Sequence, residues 1–133
     1  MNAGLLENVA PGVFDNEIRP EYSQAFLDDP RHAMFVAVDD GRVIGMASSF
    51  EYFHPDKPQQ LFINEVGVAP PHRRRGIGRK LVEALISYAE RRGCTYAWLG
   101  TDIDNRAGQA CFSSVPDVEA PQTFLLYEWD LQD

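Results

Sequence analysis

Arginine and glycine concentrate in one short segment of the chain, Arg73-Arg74-Arg75-Gly76-Ile77-Gly78-Arg79. An apolar stretch ends just before this segment, and an amphipathic pattern begins within it. The first amides of a helix have no partner inside the helix and lie at the positive end of its dipole. Glycine removes the Cβ atoms that would hold a phosphate away, and arginine adds positive charge. The segment therefore predicts an anion site at the start of a helix.

Two common phosphate-binding loops do not fit this spacing. A P-loop requires GxxxxGK followed by Ser or Thr, and the chain lacks that pattern. The dinucleotide-binding fingerprint requires a third glycine where Leu81 stands. The alternative to an anion site is a basic, solvated helix start.

Charge is distributed unevenly along the chain. Residues 66–96 carry a net charge of +5, whereas residues 1–65 carry −7 and residues 97–133 carry −6, for a total of −8. This pattern predicts an anionic ligand at the centre and a cationic partner around it. Solvated acidic surface is the alternative for the flanks. An acidic chain gains no counterion release from phosphates, which argues against nucleic acid as a partner.

The elements that must position these residues follow from hydrophobic periodicity. The pattern predicts helices over 2–9, 20–28, 77–92 and 105–113, and strands over 34–38, 43–53, 61–68, 95–99 and 123–131. Asp39-Asp40-Gly41 predicts a hairpin turn, residues 54–60 a loop, and Gly93 the end of the long helix. A strand, a glycine-marked helix and another apolar strand form a βαβ unit, so a parallel pair is expected inside a mostly antiparallel sheet.

Length and composition limit the class of protein. A chain of 133 residues is expected to form a single domain, 1–133, with its own core. It contains neither the roughly 20-residue apolar run of a membrane span nor the start of a signal peptide. Cys94 and Cys111 are expected to be reduced, packed thiols of a cytoplasmic protein. The three histidines are too scattered to predict a metal site.

The segment Arg73-x-x-Gly76-x-Gly78 resembles the acetyl-CoA signature of the GNAT superfamily of acetyltransferases, (Gln/Arg)-x-x-Gly-x-(Gly/Ala). The end of the preceding strand, Val66-Gly67-Val68, and the spacing to Asn105 match as well. The resemblance covers roughly residues 33–113. It implies an α+β fold with a twisted, mostly antiparallel sheet, a splayed central parallel pair and about four helices.

The resemblance also implies a cofactor site, with acetyl-CoA as acyl donor and no metal. Backbone groups of Val66, Gly67 and Val68 would pair with the pantetheine arm and polarise the thioester carbonyl. Arg73 opens the signature, and six amides would hold the pyrophosphate: those of Arg74, Arg75, Gly76, Ile77, Gly78 and Arg79. Asn105 has two interpretations of equal weight, a hydrogen bond to pantetheine or a helix cap.

Acetyl transfer requires an unprotonated amine, donors at the carbonyl oxygen and a proton for the leaving thiolate. Glu65 is the candidate base, because relatives often carry an acid here and a charge inside an apolar strand requires a reason. The alternative is a strand carboxylate that faces solvent or pairs with arginine. Phe112 stands where the family carries its acid tyrosine, so Tyr127, Ser113, Cys111 or water is left to supply the proton.

The acceptor amine is the least determined feature of the sequence. Acidic residues of the flanks would bind a cationic substrate; the candidates are Asp15, Glu17, Asp102, Asp104, Glu128 and Asp130. Parts of the chain, such as Val13-Phe14-Asp15 and Glu128-Trp129-Asp130, are similar to aminoglycoside 3-N-acetyltransferases, although the usual opening strand and the tyrosine are lacking. Polyamine or protein-amine acetylation and a non-catalytic acyl-CoA sensor are the alternatives. The apolar final strand would suit a homodimer interface or ordinary core packing.

Overall fold

The computed structural model describes residues 3–132. Its helices are α1 (Pro20–Asp28), α2 (Ile77–Arg91) and α3 (Arg106–Ser113), with short 3-10 helices at Ala3–Glu7 and Pro70–His72. Its strands are β1 (His32–Asp39), β2 (Arg42–His54), β3 (Lys57–Val68) and β4 (Ala97–Trp98).

These strands form one sheet in the order β1-β2-β3-β4. The pairs β1–β2 and β2–β3 are antiparallel, whereas β3–β4 is parallel and joined through α2. The predicted βαβ unit and mixed α+β sheet are confirmed. The predicted hairpin turn is confirmed as well, since Asp40 and Gly41 both adopt left-handed backbone, with φ of 52° and 73°.

The main core lies between one face of the sheet and α2. Leu81, Val82, Leu85 and Ala89 project from α2 onto Ala47, Leu61 and Ile63, and all seven are buried. Leu85 is fully buried, which contributes about 1.5–3 kcal/mol to folding. The predicted amphipathic stripe therefore packs as expected. Gly93 ends the helix in left-handed backbone with φ of 86°.

A charged pair connects the end of α2 to β2. Glu51 of β2 is 3% exposed, and Arg92 just after α2 donates to both of its carboxylate oxygens, Nε to Oε1 at 2.6 Å and Nη2 to Oε2 at 3.0 Å. This bidentate contact compensates the desolvated carboxylate, so the end of α2 is fixed against the sheet.

A bulge interrupts the pairing of β3 with β2. Ser48 is opposite Glu65 and the next residue, Ser49, is opposite Ile63, so Asn64 has no partner on β2. Ile63 packs under α2, whereas Glu65 shares the other face with Ser48. The extra residue therefore brings Phe62 and Glu65 to the same face, although they are three positions apart.

Three predicted elements form differently in the structure, and a fourth does not form. The helix predicted over 2–9 is a single 3-10 turn, and residues 8–10 instead pair with β2 through Val43; Asn2 lies outside the described residues. The loop predicted over 54–60 is a tight turn, because the ladder continues to the pair His54–Lys57. The strand predicted over 95–99 pairs only at Ala97 and Trp98.

The predicted final strand over 123–131 is wrong: the described residues from 118 onward form neither helix nor strand. Its large apolar side chains are 60–90% exposed, namely Phe124, Leu125, Leu126, Tyr127, Trp129 and Leu131. The segment is rich in apolar residues typical of a strand, but a strand requires a neighbour with free backbone groups. With β4 only two residues long, the sheet offers little edge for a further strand.

Candidate active site

The arginine-rich segment forms a turn whose amides point to no protein partner. Arg74 and Gly76 are left-handed, with φ of 65° and 78°, and α2 begins directly afterwards with Gly76 as an N-cap that has no side chain. Within residues 3–132, no backbone amide from Arg74 to Arg79 donates a hydrogen bond to another protein group. Left-handed residues beside a helix start form an anion-binding concavity. The backbone of this turn could hold an anion, and pyrophosphate binding by these amides stays a prediction.

The two glycines of this cradle act in different ways. Gly76 supplies the left-handed turn, and a Cβ there would meet nothing within 4 Å. Gly78 serves packing, because its Cβ would lie 3.1 Å from the Cys111 sulfur and 3.8 Å from Val68. The role of Gly78 therefore differs from the one expected from the sequence. The absence of a side chain at this position allows α2 to approach α3 and β3 closely.

Arginine side chains support the cradle from outside. Arg73 Nε donates to the Val68 carbonyl at 2.9 Å, which connects the turn to the end of β3. Arg79 Nε donates to Glu83 at 2.9 Å on the surface of α2. Arg74 and Arg75 are exposed, so their guanidinium groups are accessible to an anion in the turn.

The end of β3 has an open edge on the side of β4. The parallel ladder consists of Leu61–Ala97 and Phe62–Trp98 and then stops, although β3 continues to Val68. The Ala69 amide donates to the Ile44 carbonyl on β2. Successive residues of a strand direct their peptide groups to opposite sides, so those of Val66 and Val68 face the open edge. Gly67, by the same alternation, faces β2. The splayed parallel pair is confirmed, and it exposes backbone donors and acceptors between the strands.

Glu65 lies beside this open edge, on the sheet face opposite α2. Burial raises the pKa of its carboxyl, the negative charge of Asp15 raises it further, and a hydrogen bond with Asp15 favours the protonated form. Asp15 comes from the segment that precedes α1. The structure therefore brings together the candidate base and one of the predicted substrate-binding carboxylates.

Gly67 is the point where this segment crosses the sheet. A Cβ on Gly67 would lie 2.0 Å from the carbonyl oxygen of Val13, two residues before Asp15. Only glycine permits this approach, because the opposing atom belongs to the backbone and not to a flexible side chain. Gly67 therefore controls how close Asp15 comes to Glu65.

We expect Gly67→Ala to displace residues 10–15 from the sheet. Overpacking of this kind costs about 1–3 kcal/mol, so the melting temperature in calorimetry should fall. Acceptor turnover should fall as well, because Asp15 moves away from Glu65. Gly41→Asn is a suitable control, since a Cβ there would meet nothing within 4 Å and Asn tolerates the left-handed backbone of this turn. Unchanged stability and activity in Gly67→Ala would show that the close approach of Val13 to Gly67 does not matter for the site.

The other predicted acidic residues are more dispersed. Glu17, with Phe14 and Asn16, lines a shallow cavity of about 310 Å³. Asp102 and Asp104 are exposed in the loop after β4, at the same end of the parallel pair as Val68. Glu128 and Asp130 are exposed on the C-terminal segment. A contact of these five with an acceptor stays a prediction.

Residues of α3 take structural positions. Asn105 caps α3: its Oδ1 accepts from the Gly108 amide at 3.0 Å, and its Nδ2 donates to Thr101 at 3.0 Å. The helix-cap interpretation is thereby confirmed, and binding to pantetheine stays a prediction. Phe112 packs against the main core, as expected. Burial raises the pKa of the Cys111 thiol, which keeps its proton at neutral pH.

Four aromatic side chains share the sheet face of Glu65, and we call Phe50, Tyr52, Phe62 and Trp98 the aromatic shelf. Phe62 lies between Phe50 and Trp98, with ring centroids 5.4 Å and 4.5 Å away. Trp98 Nε1 donates to the Tyr52 hydroxyl at 2.7 Å. Sequence reasoning missed the shelf, although alternate aromatic positions on β2 were a signal for it.

The described part of the chain contains neither a cluster of metal ligands nor a membrane-spanning helix. Among residues 3–132, no three His, Cys, Asp or Glu side chains are grouped as metal ligands. No helix formed by these residues is long and apolar enough to cross a membrane.

Comparison with known proteins agrees with the geometry. The model of the acetyltransferase (GNAT) family matches residues 5–114, which include the cradle, the open edge of β3 and Glu65. The chain belongs to the GNAT acetyltransferase family. Acetyl-CoA is the acyl donor of this family, and the uncapped amides and the open strand edge fit its diphosphate and its pantetheine arm.

Curated relatives of this GNAT chain include two enzymes that act on small molecules. It is 34% identical over 80 residues to L-2,4-diaminobutyric acid acetyltransferase of Nocardia farcinica, which covers 60% of the chain and 40% of the relative. It is 38% identical over 74 residues to streptothricin acetyltransferase of Streptomyces lavendulae, covering 54% and 37%. The chain thus spans about two fifths of the length of these relatives.

Solved structures share the GNAT fold at lower sequence identity. An aminoglycoside acetyltransferase from an uncultured soil metagenomic sample, in complex with sisomicin, has a TM-score of 0.72 and 22% identity, covering 87% of this chain and 78% of that one. The aminoglycoside N-acetyltransferase AAC(6')-Iy in complex with CoA has a TM-score of 0.68 and 21% identity, covering 81% and 74%. These matches establish the fold.

Proposed function

We propose that the chain transfers an acetyl group from acetyl-CoA to a primary amine of a small cationic molecule. One observation carries the proposal: free amides at the start of α2 and the Glu65 carboxylate lie along the same open strand end, β3 from 65 to 68. This arrangement provides an anion site, an unpaired backbone edge and a base in one continuous line.

The donor half of the site is built from backbone. Amides of residues 74–79 would hold the diphosphate, and the peptide groups of Val66 together with the amide of Val68 would hold the pantetheine arm, since the Val68 carbonyl already accepts from Arg73. Acetyl-CoA supplies an acetyl group activated as a thioester. An N–H at the open edge can also donate to the carbonyl oxygen, where negative charge develops.

Glu65 would remove the proton from the attacking amine. An alkyl ammonium ion has no lone pair, so deprotonation must precede attack. A carboxylate whose pKa is raised is a stronger base than an ordinary glutamate, and partial burial with Asp15 nearby produces that shift. The alternative of Glu65 as an arginine-paired carboxylate loses support, because its charged neighbour is acidic. The solvated carboxylate stays an alternative, because the Glu65 side chain is exposed.

The proton for the departing thiolate comes from a group other than Phe112. Cys111 holds a proton at neutral pH, since burial raises its pKa. Tyr127 lies on the exposed C-terminal segment, and Ser113 is at the end of α3. These three residues and water remain the candidates.

The preferred acceptor is an aminoglycoside, acetylated at the 3-N position, as the local sequence similarity suggested. Acidic flanks suit a molecule with several ammonium groups. Relatives and fold neighbours named for diaminobutyric acid, streptothricin and aminoglycosides support a small amine of this kind. Polyamine or protein-amine acetylation and a non-catalytic acyl-CoA sensor are the competing functions.

The first test is release of free CoA thiol from acetyl-CoA in the presence of single amines. We expect turnover with neamine or another aminoglycoside, with L-2,4-diaminobutyrate and spermidine as competing acceptors and a lysine peptide as the protein-amine probe. Turnover on spermidine or the peptide alone would replace the preferred acceptor. Tight acetyl-CoA binding with no turnover on any amine would establish the sensor. Mass spectra of the product assign the acetylated nitrogen.

Location and assembly are further parts of the proposal. A cytoplasmic protein is consistent with two free thiols. A homodimer is supported by the apolar side chains of the C-terminal segment, which a second copy can cover. Light scattering measures the assembly, and a monomer at micromolar concentration would exclude it.

A further inference from the structure

The aromatic shelf is continuous with the candidate base. Glu65 is opposite Ser48, and Phe50 follows two residues after Ser48 on the same face of β2. Residues two apart on a strand are separated by about 7 Å. Phe62 is brought to this face by the bulge at Asn64. The shelf therefore begins roughly one side-chain spacing from the Glu65 carboxylate, at the base of the opening between β3 and β4.

The shelf is rigid and accessible. Trp98 donates to Tyr52, and the Tyr52 hydroxyl donates to Gln60 Oε1 at 2.6 Å, so both polar groups are satisfied. Trp98 is 38% exposed, and Phe50, Tyr52 and Phe62 are partly exposed. Neither α2 nor α3 covers these rings, because both helices lie on the other face. His32 of β1, which is itself in contact with Phe26 of α1, packs against Phe50 at one end of the shelf. A connected aromatic surface of this kind marks a binding site.

The charge around the shelf selects one class of occupant. Between Ser48 and Tyr52 of β2 and between Gln60 and Glu65 of β3, the side chains on this face are aromatic, polar or acidic. One basic side chain, His32 of β1, lies 5.8 Å from Phe50 between ring centroids, on the side of the shelf away from Trp98. Aromatic faces carry a negative quadrupole that attracts cations, and Trp attracts them best. Asp15 and Glu65 add two carboxylates at one end. An ammonium group complements this surface, whereas an anion does not.

We propose that the aromatic shelf binds a second, non-reacting ammonium group of the acceptor while Glu65 receives the reacting one. This inference rests on the proposed acetyltransferase function and specifies its substrate class: amines with at least two cationic groups. The spacing between shelf and carboxylate sets the separation of the two nitrogen atoms at about 5–8 Å. Trp98 is a substrate-positioning residue in this arrangement, since it touches the acceptor away from the reacting atoms.

The shelf can be tested without catalysis. Tetramethylammonium is a cation that cannot be acetylated, and tert-butanol is a neutral molecule of similar shape. In a Trp129→Phe variant, Trp98 is the only tryptophan. We expect tetramethylammonium to change Trp98 fluorescence saturably and tert-butanol to leave it unchanged. No saturable change, or an equal change with both probes, would overturn the proposal.

Kinetics test whether the shelf faces the acceptor. For L-2,4-diaminobutyrate or neamine, whichever is turned over, Trp98→Leu should raise the acceptor KM about tenfold and Trp98→Phe about threefold, in line with cation–π strength. The KM for acetyl-CoA should not change. Phe53→Leu, which removes an aromatic ring that is 64% exposed outside the shelf, is the matched control. Thermal melting verifies that each variant is folded.

The outcomes separate this inference from the proposed function. Turnover with an unchanged acceptor KM in Trp98→Leu would overturn the shelf and leave the acetyltransferase in place. No turnover on any amine would overturn the acetyltransferase, while the fluorescence titration would still decide whether the shelf binds cations.

Discussion

Glu65→Gln should reduce kcat by about 10²–10⁴-fold, because a positioned general base contributes about that much. Acetyl-CoA affinity should stay within experimental error of the original protein, since the cradle at 74–79 does not involve this side chain. Steady-state assays with the best amine, together with calorimetric titration of acetyl-CoA, measure the two effects separately. A kcat within twofold of the original would remove Glu65 as the base.

The pH dependence gives an independent test of the same residue. The pKa of Glu65 is raised, first by burial and then by Asp15. The active form is the carboxylate, so kcat/KM should rise with pH through this raised pKa and then level off. Asp15→Asn removes the neighbouring charge, so the rise should move to lower pH. A rise at the same pH in both proteins would show that Asp15 does not act on the base.

The raised pKa of Glu65 has the opposite effect on stability, which should fall with rising pH whereas kcat/KM rises. Because folding disfavours the ionised form of Glu65, its contribution to stability is present at low pH and decreases as pH rises from the ordinary glutamate pKa through the raised one. Glu65→Gln removes the ionisable group and with it the decrease in stability at higher pH. The variant should therefore be at least as stable as the original above neutral pH, and lost activity cannot be attributed to unfolding.

Gly76→Asp should weaken acetyl-CoA binding by about 100- to 1,000-fold. Asp tolerates left-handed backbone and is a good helix N-cap, so the turn and α2 should form. Its carboxylate would occupy the concavity, however, and two unit charges about 4 Å apart repel by about 4 kcal/mol at an effective dielectric constant of about 20. Competition titrations compare free CoA with pantetheine, which lacks the diphosphate. The loss of affinity should be confined to CoA.

Gly76→Asn is the matched control, because it has the same shape and the same backbone tolerance without the charge. We expect only a modest loss of CoA affinity, within about tenfold, and a melting temperature similar to that of the Asp variant. Equal binding by the two variants would mean that no anion enters the turn. The pyrophosphate cradle, and with it the proposed function, would then fail.

Local patterns predicted the parts of the fold that local chemistry determines. The apolar stripe of α2, its end at Gly93 and the turn at Asp40-Gly41 depend on residues close in sequence. The segment over 123–131 has an equally apolar composition, yet a strand forms only against a neighbour, and β4 offers two residues. The strand propensity of one segment does not show whether another strand has a free edge to pair with it.

The candidate site also contains parts that nearby residues determine and parts that depend on distant segments. Arg73, Gly76 and Gly78 were found because the cradle is built from consecutive residues. Asp15 and Glu65, fifty positions apart, were assigned separately as substrate ligand and base, and their mutual effect required the chain crossing at Gly67. The aromatic shelf was missed because its rings come from three strands, and the sequence of one strand does not determine its register with the next.

The single unpaired residue at Asn64 decides the parity of the rest of β3. Side chains alternate along a strand, so if Asn64 paired regularly opposite Ser48, Glu65 would move opposite Ala47 and the sides of Glu65 and Val66 would be exchanged. The carboxylate would then point into the apolar layer beneath α2, and the valine would take its place in the cleft. Deleting Asn64 would remove the bulge but leave Glu65 opposite Ser48, so the carboxylate would keep its face and β3 would lose only the local bend and twist.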